Sequence, residues 1–226
     1  MAARPRAIFL DALGTLVALA EPWPALTQLL REHHGVDVDE ADARLALLAE
    51  MRHYRNHCAR AADQASLAAL RLECAQVVVD ELGAPAAAIA PAELVPTLLA
   101  ALRFAAFDDA APALERWRAQ GTLLVVVSNW DISLHDVLRT TGLQGLADAV
   151  ITSAEVGHSK PDPAIFAAAL ERVGLRPEEA VHIGDSFEED VLGARAAGIE
   201  GVLLARAGAG LAPPDGVRVI ASLGEW

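Results

Sequence analysis

Aromatic side chains make up only 4% of this 226-residue chain, cysteine occurs twice, and no uncharged run reaches 18 residues. Each scarcity excludes something. Two cysteines, Cys58 and Cys74, without metal-ligand spacing cannot build a disulfide framework, so they read as free thiols in a reducing cytoplasm. The longest apolar stretch near the N-terminus, residues 7–20, is too short to span a bilayer and carries Asp11 in its interior, and nothing marks it for secretion. Positive charge is also in short supply: 18 Lys plus Arg against 31 Asp plus Glu leave a net charge of −13. Such a surface repels nucleic acid and anionic membrane, and its plain use is solubility. Phosphodiester polymers are therefore not expected as partners, and the chain is expected to act as a monomer or homodimer.

What is abundant is Ala, Leu and Val: 54% of residues are apolar and the mean hydropathy is +0.31. That composition favours helices packed on a buried sheet over disorder. Residues 7–10 form a short apolar run ending at Asp11 and followed by Gly14 and Thr15, the pattern of a buried strand entering a turn. From Pro22 to Arg103 no comparable run occurs. Helical spacing prevails there (Leu26, Leu29, Leu30; Leu45, Leu48, Met51), punctuated at Gly35, Gly83, Pro85 and Pro91, so three or four helices are expected. Beyond Arg103 strand-like runs at 123–127, 149–152, 180–183, 201–204 and 217–220 alternate with helical segments near 111–119, 133–140, 163–173 and 188–197. Continuous apolar strands alternating with helices predict a doubly wound α/β parallel sheet. The expected division is an α/β core of residues 1–16 and 104–226 and an inserted all-helical unit of residues 17–103. Residues 207–216, AGAGLAPPDG, read as a flexible surface loop.

In open parallel sheets ligands gather at the carboxyl ends of the strands. The residues at those ends are Asp11 in DALGTL, Ser128 and Asn129 in VVVSNWD, Lys160 in SKPDPAIF and Asp185 in HIGDSFEED. Each has a plain alternative: a helix cap for Ser128 and Asn129, a solvated loop charge for Lys160, a turn residue for Asp185. Together they suit phosphoryl transfer. Asp11 is the candidate nucleophile. Asp185, Asp190 and a backbone carbonyl near Leu13 offer hard oxygen ligands for Mg²⁺. The Ser128 hydroxyl could hold phosphoryl oxygens, and Lys160, in a loop stiffened by Pro161, could balance charge in the transition state.

These four motifs, in this order, resemble the haloacid dehalogenase-like hydrolase superfamily: DALGTL its first, Ser128-Asn129 its second, Lys160 its third and GDSFEED its fourth. The resemblance implies a Rossmann-like core, a helical cap inserted between the first and second motifs, and Mg²⁺ held by Asp11, the Leu13 carbonyl, Asp185 and Asp190. SNWDISLHDVL and SAEVGHSKPDPAIF look most like a phosphatase-like subgroup. One position departs. Relatives with phosphatase activity carry a second Asp two residues after the nucleophile as general acid and base, and here that residue is Leu13, which can do neither. Acid-base catalysis contributes about 100- to 10,000-fold, so poor leaving groups should turn over slowly. Asp131 and His135 are candidate substitutes, although helix-start and solvent-facing roles explain both.

The dehalogenase branch needs no acid at that position, but it is metal-free and lacks the acidic fourth motif kept here by Asp185 and Asp190. Phosphatase chemistry on a small phosphorylated substrate is the first expectation, a halogenated one the second, and a binding or regulatory protein of the same fold the third. Candidate substrate contacts are Thr15 beside the nucleophile and, in the helical insert, Trp23, Arg52 and Arg55, with Tyr54 and His57 nearby. Exposed helix surface accounts equally well for the arginines. His53 and His57 sit four apart beside Cys58, but without a nearby Glu or second Cys they make a poor metal site.

Overall fold

The structure is a computed structural model, and it describes residues 4–206 and 216–226. The loop expected at 207–216 therefore lies, but for Gly216, outside the described residues. The chain divides into two compact units, Met1–Ala18 with Ala105–Trp226, and Leu19–Phe104.

The first unit is built on six parallel strands: β1 (Ala7–Leu10), β4 (Leu123–Ser128), β5 (Ala149–Thr152), β6 (Ala180–Gly184), β7 (Glu200–Leu204) and β8 (Arg218–Ile220). Their order is β5-β4-β1-β6-β7-β8. β1 pairs Leu10 with Val126 on one side and with Ile183 on the other. The chain thus winds outward in both directions from β1, and the crevice at its carboxyl end is the switch point of the sheet. Every residue of β1 and β6 is buried, as strands covered on both faces require. One core cluster gathers Phe9, Val125, Val127 and Ile151 with Ile165, Phe166 and Ala169 of α8 (Pro163–Val173). That helix starts where it does because Pro163 tolerates the first turn and the Asp162 carboxylate accepts the Ala164 N–H at 2.9 Å; Gly174, in the left-handed region, ends it. The remaining helices are α5 (Ala110–Ala119), α6 (Leu134–Thr140), α7 (Ser153–Val156) and α9 (Gly193–Ala196).

The second unit holds α1 (Trp23–His34), α2 (Glu40–His57), α3 (Gln64–Leu82) and α4 (Pro91–Ala101). α1 packs on α2 and α4, and α3 packs on the same two. Leu26, Leu30, Leu47, Leu67, Val78, Leu94 and Leu98 form its interior. Asp63 starts α3 with a reciprocal capping box to Ser66. No helix of the described residues is long and apolar enough to cross a membrane.

Three elements differ from the sequence expectation. Residues expected inside the helical insert, Val17–Leu19 (β2), pair with Phe104–Ala106 (β3) in a two-stranded sheet. Three-residue strands are too short to show a period. The short helix α7 follows β5 directly, fastened by a capping box between Thr152 and Glu155. The helix expected near 188–197 opens instead as a π-helical turn, Phe187–Leu192, because the Ser186 carbonyl accepts N–H groups from both Asp190 (2.9 Å) and Val191 (3.3 Å).

In the helical unit, Glu50 of α2 is only 5% exposed. Burial raises its pKa above the ordinary 4.5, a rise partly opposed by a hydrogen bond with the Cys74 thiol. A carboxyl whose folded pKa is raised favours the fold fully below its unfolded value and loses that contribution as pH rises through the folded one. Glu50→Gln should therefore melt together with the parent below pH 4.5 and several degrees higher at neutral pH. Thermal melts across that range check this, and parallel curves at every pH would refute it.

Candidate active site

Lys160 is the only lysine in the chain. It follows α7 in the loop that leads to α8, joined to Pro161 by a cis peptide bond. The solvated-charge alternative fails: Lys160 is 4% exposed. Its Nζ donates to Asp11 Oδ1 and to Asp190 Oδ1, each at 2.5 Å. Burial alone would lower its pKa, but the two carboxylates outweigh burial and hold the ammonium well above its ordinary value.

Asp11 stands at the carboxyl end of β1, its N–H bonded to the Ile183 carbonyl at 3.0 Å. Ser128, ending β4, donates its hydroxyl to Asp11 Oδ1 at 3.0 Å. Oδ1 thus has two donors, whereas Oδ2 carries no hydrogen bond among the described residues. Desolvation raises the Asp11 pKa, against the pull of Lys160. Asn129 does not reach toward Asp11; it clasps the lysine loop. Its Oδ1 accepts the Lys160 N–H at 2.6 Å, and its Nδ2 donates to the Lys160 carbonyl at 2.9 Å and to Glu189 Oε2 at 3.2 Å.

Asp190, on the π-helical turn, is 1% exposed and has three donors. Oδ1 accepts from Lys160 and from His182 Nε2 at 2.9 Å, and Oδ2 accepts the Ser186 N–H at 2.9 Å. Burial would raise its pKa, yet Lys160 and His182 hold it below the ordinary value. Asp185 is exposed, but neighbouring atoms still desolvate its carboxylate, and that effect together with the charges of Asp11 and Asp190 pushes its pKa up to about 7.

Two glycines make this crowding possible. A Cβ on Gly14, whose φ is +83°, would lie 2.3 Å from Asp185 Oδ2, and one on Gly184 would lie 2.1 Å from Asp190 Cγ. Only glycine lets the backbone pass so close to either carboxylate. Arg206 secures the loop after Asp11: its guanidinium donates to the Gly14 and Thr15 carbonyls at 3.2 and 2.8 Å, forks onto Asp109, and stacks on Phe107 at 3.8 Å.

Among the described residues Asp11, Asp185 and Asp190 are the one group whose ligand atoms come together as a metal site, all within 4.8 Å of one another. Three carboxylates against one ammonium leave surplus negative charge, which adds to desolvation in raising Asp185, and hard oxygens are the donor type Mg²⁺ takes. The donor set therefore fits a divalent cation.

Other expected residues fall elsewhere. Thr15 is wholly buried, so its side chain is closed to a substrate, and its Oγ1 lacks a partner. Leu13 is 41% exposed and bridges to Val17. Asp131 is not solvent-facing: it is buried and caps the Ser133 N–H at 2.5 Å. His135 pairs with Glu155 at 3.2 Å. In the helical unit Arg52 and Arg55 are exposed and Trp23 lies under the Arg44 guanidinium. His53 pairs with Glu73, His57 bonds the His53 carbonyl, and Cys58 and Cys74 are buried and joined in no disulfide. Sequence reasoning missed His182, Gly184 and Arg206. An imidazole inside the strand AVHIG and a single lysine in 226 residues were the available signals.

The family model for haloacid dehalogenase-like hydrolases matches residues 5–198. The chain is 43% identical over 98 residues to haloacid dehalogenase-like hydrolase domain-containing protein 3 of Bos taurus, a match covering 43% of this chain and 39% of that protein. It is 38% identical over 99 residues to a glyceraldehyde 3-phosphate phosphatase of Methanothermobacter thermautotrophicus, covering 43% and 44%. The match thus spans about two fifths of the length of these curated relatives. A solved defluorinating L-2-haloacid dehalogenase superposes with a TM-score of 0.75 at 21% identity, covering 99% of this chain and 96% of that one, a likeness of fold alone.

Lys160→Met leaves Asp11 and Asp190 buried without their cation, and breaking a buried pair from one side costs about 3–5 kcal/mol. The variant's carboxylates then titrate above their unfolded value of 3.8, so the loss should be full at neutral pH and shrink as pH falls toward 3.8. Urea unfolding measures it, and equal stability at pH 7 would show that the ammonium does not hold the rim together.

Proposed function

The chain belongs to the haloacid dehalogenase-like hydrolase family, and from that footing we propose that it is a Mg²⁺-dependent phosphohydrolase acting on a small phosphorylated molecule through a covalent phosphoryl group on Asp11. The observation that carries this reading is the gathering of Asp11, Asp185 and Asp190 at the sheet's switch point, with Asp11 and Asp190 both paired to one buried lysine. Asp11 and Asp185 would hold the cation, with Asp190 and the Leu13 carbonyl beside them, and a bound Mg²⁺ would offset the charge of an anionic substrate and lower the Asp11 pKa.

In this reading Asp11 Oδ2, the oxygen without a hydrogen bond, attacks phosphorus while Ser128 and Lys160 keep Oδ1 in place. The bond from phosphorus to the leaving oxygen breaks, and that oxygen departs with the electron pair. Water then attacks phosphorus, the bond to Oδ2 breaks, and inorganic phosphate leaves with Asp11 restored. Lys160 balances the negative charge that develops, and Ser128 and Asn129 keep the nucleophile and the lysine loop in register. Leu13 offers no proton to the leaving oxygen. Substrates whose leaving group needs none, such as acyl phosphates, fit best. Trp23, Arg52 and Arg55 are proposed to select the substrate.

Leu13 also favours a second reading, haloacid dehalogenation, in which halide leaves without a proton. The acidic trio counts against it, because a halide-displacing carboxylate gains nothing from two more beside it.

A panel of acyl, aryl and alkyl phosphates, run with and without Mg²⁺ beside 2-haloacids, separates the readings. Mg²⁺-dependent phosphate release supports the first, and metal-independent halide release would replace it with the second. Asp11→Asn should abolish turnover of the best substrate while leaving the melting temperature near that of the parent, and a folded variant with parental turnover would remove Asp11 from the chemistry.

Leu13→Asp should raise turnover of an alkyl phosphate by about 10-fold or more, yet leave that of p-nitrophenyl phosphate, whose leaving group barely needs a proton, nearly unchanged. Equal gains on both would indicate altered binding. No gain in a folded, Mg²⁺-binding variant would favour a non-catalytic role for the site.

A further inference from the structure

His182 stands out in β6. Its neighbours in Ala180–Gly184 are apolar or glycine, and the strand is buried throughout. The imidazole has no exposed surface, meets the Phe166 ring edge-on with centroids 5.0 Å apart, and places Nε2 2.9 Å from Asp190 Oδ1. Nδ1 is buried without a partner.

If the ring served only to fill space, an aliphatic side chain would do so without burying an unsatisfied nitrogen. The orphaned nitrogen also decides the tautomer. A proton on Nδ1 alone would bury an unpaired N–H and turn the Nε2 lone pair toward a carboxylate oxygen, so two contacts would be unfavourable at once. With the proton on Nε2, one strong bond forms and only an acceptor goes unused.

We propose that His182 is a positioning residue whose Nε2–H holds Asp190 Oδ1 at the point where that oxygen receives the Lys160 ammonium. Asp190 needs such a hold. Its Oδ2 is pinned by the Ser186 N–H, and its Oδ1 would otherwise be oriented by Lys160 alone, which is shared with Asp11. The second donor on Oδ1 fixes the plane of the carboxylate, and the carboxylate in turn fixes the ammonium between Asp190 and Asp11. His182 itself is wholly buried and makes its hydrogen bond to Asp190 rather than to the expected nucleophile. Its importance for turnover rests on the function proposed above; its hold on Asp190 and Lys160 does not.

The single lysine makes a direct test possible. Protein labelled with ¹⁵N-lysine gives one Nζ signal, recorded in the parent, His182→Gln and His182→Leu without metal. Glutamine can present an N–H near the position of Nε2, and leucine cannot. The glutamine variant should keep the parental lysine signal, bind Mg²⁺ within about threefold of the parent by calorimetry, and keep most of the parental kcat. The leucine variant should shift or broaden the lysine signal and lose about 10- to 100-fold in Mg²⁺ affinity and in kcat, with KM changed much less. His182→Phe, which keeps a ring against Phe166 but has no N–H, takes its place if the leucine chain does not fold.

A parental lysine signal and parental Mg²⁺ affinity in the leucine or phenylalanine variant would overturn the proposal. So would equal losses in the glutamine and leucine variants, which would mark a packing role. If the parent hydrolyses no phosphate ester while the lysine signal and Mg²⁺ affinity respond as expected, the proposed function fails and the role of His182 stands.

Discussion

Two carboxylates cannot be taken out of water beside each other without a cation between them. Lys160 supplies that cation, 2.5 Å from Asp11 and from Asp190, and much of the rim follows from the need to keep it there. Its ammonium has three hydrogens and no acceptor capacity, so it must be brought to the acids by its backbone. Asn129 does this by gripping both the N–H and the carbonyl of Lys160 from the end of the neighbouring strand. The acids are brought to the ammonium by close backbone approach. Gly184 passes under Asp190, and the π-helical turn aims that carboxylate back toward β6. A side chain at Gly184 or a regular helical turn at Phe187–Leu192 would move one member of the ion network and leave the others buried with unbalanced charge.

The sheet explains why these groups meet. β1 lies between β4 and β6, so the residues that follow Leu10, Val127 and Gly184 emerge side by side at one edge. Parallel strands need crossover helices, so each of these neighbours comes from a distant part of the chain: Ser128 is 117 residues from Asp11, and Lys160 is 149. The loop after Asp11 receives separate support. Arg206 holds the Gly14 and Thr15 carbonyls while its charge is balanced by Asp109 and its plane is packed on Phe107. A planar fork with five donors can serve two carbonyls and a carboxylate together, which an ammonium in the same place could not.

This arrangement also explains what could be read from the sequence. The apolar runs that became β1, β4, β5, β6 and β7 were legible because buried parallel strands are continuous and apolar, and polar residues at or just past the ends of β1, β4, β5 and β6 marked the rim. Asp11, Ser128, Lys160 and Asp190 were named from that pattern and from the family resemblance, and the fold brings those four together. The pattern could not tell that Lys160 is buried, since a lysine between glycine, serine and proline has the local look of a surface loop; its burial is decided by partners 30 and 149 residues away. The β2–β3 pair was hidden because three residues carry no period. The π-helical turn was hidden because it arises from the shared Ser186 carbonyl rather than from propensity. Asp131 departs from the solvent-facing expectation because a residue just before a helix is usually exposed, whereas this one is buried.

Charge at the rim leads to one further constraint. With all groups ionised, three carboxylates and one ammonium leave two surplus negative charges, which add to desolvation in pushing Asp185 up to about 7. In the proposed phosphohydrolase reading, a phosphate ester brings more negative charge to the same place. At 4 Å, with an effective dielectric constant near 20, each unit pair costs about 4 kcal/mol, enough to keep the ester out by itself. The Lys160 ammonium is already counted in that surplus, so it lightens this cost without removing it. In that reading the anion arrives with a divalent cation or finds one there. In that setting an aspartate at position 13 would add yet another negative charge unless it held a proton. The leucine relieves the crowding and gives up the proton, which ties the electrostatics of the rim to the kind of leaving group the site can release.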